Sequence, residues 1–471
     1  MKRSIKWILF FGFVLGISQN AFKVDKFLES YQSIFNAKKF EQLENLMDEK
    51  FLKEVGKDNF REMNWGIYVQ MGPIISMRRI SDTLGTSRAW VNFENDELVF
   101  EVKLKGEKAE GFFMRNPYAF IADKKRSLPI QKSFTPAGDL DKFVDSVCSR
   151  FMEGERKCGL AVGIYHNGNR FEYYFGETSK GTGNIPNGQS LFEIGSVTKI
   201  FTAYLFAYAC SQNILNPQMP LNRTLANMKI YTRGIADDVT LLHLTNHTSG
   251  LPRLPLNFLD QKSYSAKYPY RNYNRELLVQ YLESAKEIKR KDNQQYSNLG
   301  PSVMGLILEH FMKMNYKDLV EKFIFPVCGM NNSYVHVKDA PTENLTTPYR
   351  ENGKEATHFE FDVMAPAGSI VSCLPDMMNF VEKMRDSSGI PQKMMMTKTL
   401  GNNRFNAGMG WMIQPTGAKN TLVWHNGATF GYTSFAGFLR EKDIYVVILN
   451  NQAAPVDKIA IDIIKYLEKK K

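Results

Sequence analysis

Residues 196–209, SVTKIFTAYLFAYA, constrain this chain more than any other stretch. After Gly195 nearly every position to Ala209 is apolar, on all sides of a 3.6-residue period. A helix of that kind must be enclosed by protein on every face. Only a sizeable domain supplies such cover, and 471 residues with 43% hydrophobic content allow for one. The same helix carries Lys199 three residues after Ser196, so the two side chains share a face. A lysine in a buried helix is costly without partners, and burial weakens its hold on a proton. Beside a serine at a helix N-terminus, such a lysine makes an activated nucleophile.

The rest of the chain shows how that domain is framed. "GLAVGIYHNGNRFEYYFG" places two strand-like runs around Asn167-Gly168. Asn-Gly favours the positive φ angles of a two-residue hairpin turn, so His166 there is incidental. "DIYVVILNN" reads as a strand buried on both faces. The terminal "VDKIAIDIIKYLEKKK" puts Val456, Ile459, Ala460, Ile463, Ile464 and Leu467 on one helical face. Asp139 opens another amphipathic helix, through Leu140, Phe143, Val144, Val147 and Phe151. A domain over 139–471 thus begins helix–hairpin and ends strand–helix. One antiparallel sheet covered by helices, with a helical subdomain between, is the expected solution.

Ahead of it, the positive "MKRSIK" and apolar "WILFFGFVLGI" read as a signal peptide over 1–18, with Gly16 and Ser18 at the cleavage site. The mature protein is then exported, periplasmic or extracellular, with no stable membrane insertion. Over 19–115, Phe27, Leu28, Tyr31, Ile34 and Phe35 form one helical face, and Phe40, Leu43, Leu46 and Met47 a second. Phe100, Val102 and Leu104 then alternate with charged residues, in a hairpin turning near Asn95-Asp96. This small α+β domain resembles the cone-shaped nuclear transport factor 2-like domains. Residues 116–138, with Pro117, Pro129 and Pro136, read as a linker.

The net charge of +11 is spread along the chain with acidic residues interleaved, which argues against nucleic acid as a partner. The five cysteines are widely spaced and lack a CxxC pair, which disfavours a zinc site. Most or all read as buried thiols acting as small hydrophobes; the alternative, which export permits, is a Cys148–Cys158 bridge.

Three further segments can meet the Ser196–Lys199 pair. Tyr-x-Asn occurs at Tyr165, Tyr270 and Tyr296; only Tyr296-Ser-Asn298 stands before a Gly-Pro and an apolar helix. In extended backbone, Tyr296 and Asn298 point the same way. A tyrosine serves as a base only where cations stabilise its phenolate, and Lys199 with a histidine is the expected source of that field. Ser196-Val-Thr-Lys199, Tyr296-Ser-Asn298 and His425-Asn426-Gly427, in that order, resemble the signatures of the penicillin-recognising serine hydrolases. These are the class C β-lactamases, D-alanyl-D-alanine carboxypeptidases and related esterases. "LLHLTNHTSGLP", "PAGSIVSCLPDMMNF" and "GMGW" are similar to further family segments. The resemblance implies a β-lactamase/transpeptidase-like α+β fold behind the small domain. It implies Ser196 as nucleophile, Lys199 and Tyr296 sharing the proton work with the base left open, and Asn298 orienting the substrate amide. It also implies His425 beside Tyr296, an oxyanion hole from the Ser196 and Ala428 N–H groups, and Gly427 and Asn426 at the substrate. No metal or cofactor is called for.

His at the head of the third motif is similar to the carboxypeptidases, aminopeptidases and esterases of the family. Asn426 stands where threonine is usual, which bears on how a substrate carboxylate is held. The expected substrate is a D-amino-acid peptide, such as a cell-wall fragment, or a small ester. A β-lactamase and a non-catalytic penicillin-binding sensor are the alternatives. His247 reads as structural, Trp411 and Trp424 as core or cleft wall, and Tyr270 more as structure than as cleft.

Overall fold

The computed structural model describes residues 21–83, 85–119, 123–401, 406–416 and 419–470. The expected signal peptide lies outside them. The chain divides into two compact units, one of residues up to 122 with 265–269, the other of the remainder.

In the first unit residues 21–36 are helical, and Phe40–Leu46 forms a 3-10 helix. Helices Glu49–Val55 and Lys57–Met71 follow, which the hydrophobic pattern did not disclose. The reason is Asn64. It sits between Phe60 and Tyr68 on the buried face and breaks the apolar spacing. It is fully buried and satisfied: Tyr31 donates its hydroxyl proton to the Asn64 side chain, whose amide donates to the Phe60 carbonyl at 2.7 Å. Four antiparallel strands come next: β1 (Ile74–Thr83), β2 (Thr86–Phe93), β3 (Glu97–Lys105) and β4 (Lys108–Arg115), paired in sequence order. The β2–β3 hairpin turns at residues 94–96, as expected. Tyr31, Phe35, Phe60, Phe100 and Phe112 interlock in the core beneath.

The second unit is built on an eight-stranded antiparallel sheet. Its strands are β5 (Gly159–His166), β6 (Asn169–Gly176), β9 (Leu400–Gly401), β10 (Asn406–Ala407), β11 (Met412–Thr416), β12 (Asn420–Ala428), β13 (Thr433–Leu439) and β14 (Ile444–Asn450). The spatial order is β6-β5-β14-β13-β12-β11-β10-β9. Short strands β7 (Phe192–Glu193) and β8 (Val371–Ser372) pair apart from it. The first and last long strands of this unit meet where β5 pairs β14 along its whole length. Asn167 and Gly168 take φ of +50° and +82°, the hairpin turn the sequence specifies.

Helices α1 (Asp139–Phe151), α2 (Thr198–Ser211), α3 (Leu299–Met312), α4 (Leu374–Arg385), α5 (Ile390–Met396) and α6 (Asp457–Lys469) matter most here. α1 and α6 cover one face of the sheet. Val144 and Cys148, with Ile459, Ile463 and Leu467, pack there on Val162, Phe435 and Val446. Each such side chain contributes about 1.5–3 kcal/mol by burial. α4 packs on the opposite face, against β5, β13 and β14. α2 is enclosed as its sequence demands, with Lys199 among its buried residues.

One expectation is revised. Part of the expected linker is bound, because Ser133 N–H donates to the Tyr174 carbonyl at 3.0 Å and Gly176 N–H to that of Gln131 at 2.9 Å. The cysteines are as the sequence reading favoured: all five are free thiols, four of them buried and Cys210 half-buried. Among the described residues no helix is long and apolar enough to cross a membrane.

Candidate active site

Two glycines bring the nucleophile turn against the sheet. Gly195 has φ +51°, and a Cβ there would lie 2.7 Å from the Ala428 nitrogen. A Cβ on Gly427 would lie 2.0 Å from the Ile194 carbonyl oxygen. Backbone thus meets backbone where the 3-10 turn Gly195–Val197 runs into α2. Ser434 fixes the contact by donating its hydroxyl to the Ile194 carbonyl at 2.7 Å. The Ala428 backbone is thereby placed beside Gly195 and Ser196, as a two-N–H oxyanion hole requires. Gly427→Ala pushes β12 off this turn. Turnover is expected to fall about 10²-fold, measured by steady-state kinetics on protein whose circular dichroism remains native.

Lys199 is 2% exposed. Its Nζ donates to Ser196 Oγ at 2.9 Å and to the Ala367 carbonyl at 2.7 Å. That carbonyl belongs to the 3-10 turn Ala365–Ala367, which Thr202 also holds through the Pro366 carbonyl at 2.7 Å. Burial, helped by the charge of Arg253, pushes Lys199 well below the ordinary lysine range.

Tyr296 stands beside this pair, and Ser196 lowers its proton affinity. Its ring centre lies 5.0 Å from Lys199 Nζ, 5.4 Å from the Arg253 guanidinium carbon, 4.5 Å from the His247 ring and 6.3 Å from the His425 ring. Burial pushes its phenol up to about 12, with Ser196 and Arg253 opposing. Tyr296 therefore carries its proton at neutral pH.

Asn298 donates its side-chain N–H to the Tyr270 hydroxyl at 3.3 Å. Its Oδ1 is buried and has no hydrogen-bond partner among the described residues, so an acceptor remains open. Tyr270 thus belongs to the site, contrary to the structural reading of its sequence. Its ring stacks on Phe361 at 4.8 Å and meets Phe359 at 5.6 Å, and Phe359 meets Phe430 at 4.5 Å. Buried Glu193, three residues before the nucleophile, anchors this aromatic row. Its Oε1 accepts from Phe359 N–H at 2.9 Å and lies 2.9 Å from His358 Nδ1.

His425 faces Tyr296, but not as a cation. Burial foremost, then the charge of Lys199, lowers its pKa to about 4. His247 is also held neutral by burial, and its Nδ1 accepts from Ser297 N–H at 3.2 Å. The expected field of Lys199 with a histidine is thus corrected: the permanent charge beside Tyr296 is Arg253, which no motif marked. Asn426 is also corrected as a substrate residue. Side chains alternate along β12, so Asn426 points away from His425, and its Nδ2 donates to Asp457 Oδ1 on α6 at 2.7 Å. Trp411 is buried and Trp424 stacks on Phe435, both as packing residues.

Comparisons with known proteins bear on the family and the fold. The family model described as Beta-lactamase covers residues 144–468. A curated beta-lactamase of Providencia stuartii is 24% identical over 364 residues, spanning 69% of this chain and 90% of that protein. Among solved structures, a class C beta-lactamase superimposes with TM-score 0.63 at 20% identity, over 72% of this chain and 99% of that one. A beta-lactamase/D-alanine carboxypeptidase from Pseudomonas syringae does so with TM-score 0.61 at 20% identity, over 70% and 99%.

Proposed function

The chain belongs to the beta-lactamase family and is a serine hydrolase, and on that premise we propose that it is an exported enzyme cleaving D-amino-acid peptides or small esters through an acyl-serine intermediate. The observation that carries the reading is the 2.9 Å contact between Lys199 Nζ and Ser196 Oγ in a buried setting. Lys199, its proton affinity lowered, takes the Ser196 proton as Oγ attacks the carbonyl. The N–H groups of Ser196 and Ala428 receive the oxyanion. As the acyl–N or acyl–O bond breaks, the Tyr296 phenol gives its proton to the leaving group and is recharged from Lys199. Water then repeats the attack on the acyl-serine. The open Asn298 Oδ1 takes an amide N–H of the acyl side. Support for export is the basic "MKRSIK" followed by an apolar run of signal length.

Two features favour peptide or ester over β-lactam as the main substrate. His425 heads the third motif as it does in the carboxypeptidases and esterases of the family. Asn426, in the usual threonine position, is engaged with Asp457. The row of Tyr270, Phe361, Phe359 and Phe430 further suits an aromatic or apolar acyl group. In the double variant Phe361→Ala/Phe430→Ala, the preference in kcat/KM for a phenylacetyl over an acetyl ester is expected to fall about tenfold. An unchanged ratio counts against the row as an acyl subsite.

Intact-mass and peptide analysis after a fluorophosphonate tests the mechanism, with one adduct on Ser196 expected. No adduct at Ser196 overturns the hydrolase chemistry. Cephalosporin turnover faster than that of any ester or D-alanyl peptide turns the assignment to β-lactamase.

A further inference from the structure

With Asn426 turned towards α6 and both histidines neutral, the cleft needs another means of holding an anionic substrate. Arg253 is exposed, and its guanidinium carbon lies 5.4 Å from the centre of the Tyr296 ring. Among the described residues, no carboxylate forms an ion pair with it. Its backbone is clamped to the Tyr296-Ser297-Asn298 segment. Asn298 N–H donates to the Arg253 carbonyl at 3.0 Å, and the Ser297 hydroxyl donates to the Pro252 carbonyl at 2.7 Å. The backbone of Arg253 is thus tied to the segment that carries the catalytic phenol. The groups that bear on the proton affinities of Lys199, Tyr296, His247 and His425 include Arg253 but no Asp or Glu. Beside the catalytic phenol there is therefore a positive charge with no counter-charge among the described residues. An arginine fork matches a carboxylate in shape and donor number.

We infer that Arg253 is a substrate-anion site, selecting substrates with a free carboxylate one residue from the bond that Ser196 attacks. This rests on the hydrolase reading above and narrows it: the peptide substrate is cut beside its C-terminal residue, and the equivalent ester carries an acid on its leaving group. Arg253 here does the work that the Asn426 side chain does not.

The test uses two ligands that differ only in charge, N-acetyl-D-alanine and N-acetyl-D-alaninamide, titrated into the full-length protein by NMR. The acid is expected to bind about tenfold more tightly than the amide. Arg253→Gln should bring the two to the same affinity, and Arg253→Lys should restore part of the difference. Equal affinities in the unaltered protein, or a preference that survives Arg253→Gln, overturn the inference. Binding requires no acylation, so this result is separate from fluorophosphonate labelling of Ser196. Loss of labelling with the acid preference intact sinks the hydrolase reading and leaves the anion site. Labelling without acid preference does the reverse.

Discussion

Ser196→Ala abolishes the acyl-enzyme and lowers turnover about 10⁶-fold, the scale on which a serine hydrolase loses its nucleophile. The fold should not register the change. Ser196 Oγ is a partner of Lys199 Nζ, but the Ala367 carbonyl at 2.7 Å remains to receive the amine. Burial shifts Lys199 towards its neutral form, which lessens the cost of removing a partner of its amine. A stability change within about 1 kcal/mol is expected. The remaining rate would come from binding and from the oxyanion hole at Ala428, neither of which uses the serine side chain. Intact-mass labelling and a thermal melt on the same preparation separate the two effects. An adduct at any residue of the variant, or turnover within about 10²-fold of the unaltered enzyme, overturns the assignment of Ser196.

Much of this site was legible in the sequence, because its parts obey local rules. Ser196 and Lys199 are one helical turn apart, and Asn167-Gly168 is a turn wherever it occurs between strands. The buried strand at 444–450 and the stripe on α6 announce their faces by period. What stayed hidden depends on contacts across the fold. The helix Lys57–Met71 escaped notice because its buried face includes Asn64, whose partners Tyr31 and Phe60 appear only once the core is assembled. Asn426 was assigned to the substrate by its place in a motif. The alternation of β12, with Asp457 waiting on α6, sends its side chain elsewhere. Arg253 belongs to no motif, and its exposed position in a loop looks ordinary. Only the clamp from Asn298 and Ser297 shows that it travels with Tyr296. Similarly, the sequence suggested a histidine cation near the phenol, but burial determines charge and burial is a property of the fold.

Lys199→Arg distinguishes the two proton carriers that the motifs left open. Arginine keeps a cation at the position, so a residue needed only for its charge would be largely replaced. A guanidinium, however, does not give up its proton at any accessible pH and so cannot accept one from Ser196. If Lys199 is the base, acylation falls about 10⁴-fold, the upper end of what general-base catalysis supplies. The pH dependence follows from the same assignment. The active form is the neutral amine, and burial together with Arg253 depresses its pKa. The rate therefore rises with pH through that depressed pKa and then levels. Loss of the Tyr296 proton, near pH 12, lies beyond the working range. His425 gains its proton only near pH 4, and His247 is depressed as well, so neither sets a limb at neutral pH. Arg253→Gln removes the one positive charge that bears on Lys199, which raises the lysine's pKa and moves the acid limb to higher pH. The measurement is kcat/KM for one ester between about pH 5 and 9. Near-full activity in Lys199→Arg would remove Lys199 as the base and return that role to Tyr296, whereas an acid limb that moves to lower pH in Arg253→Gln would count against either group, since Arg253 lowers the proton affinity of both.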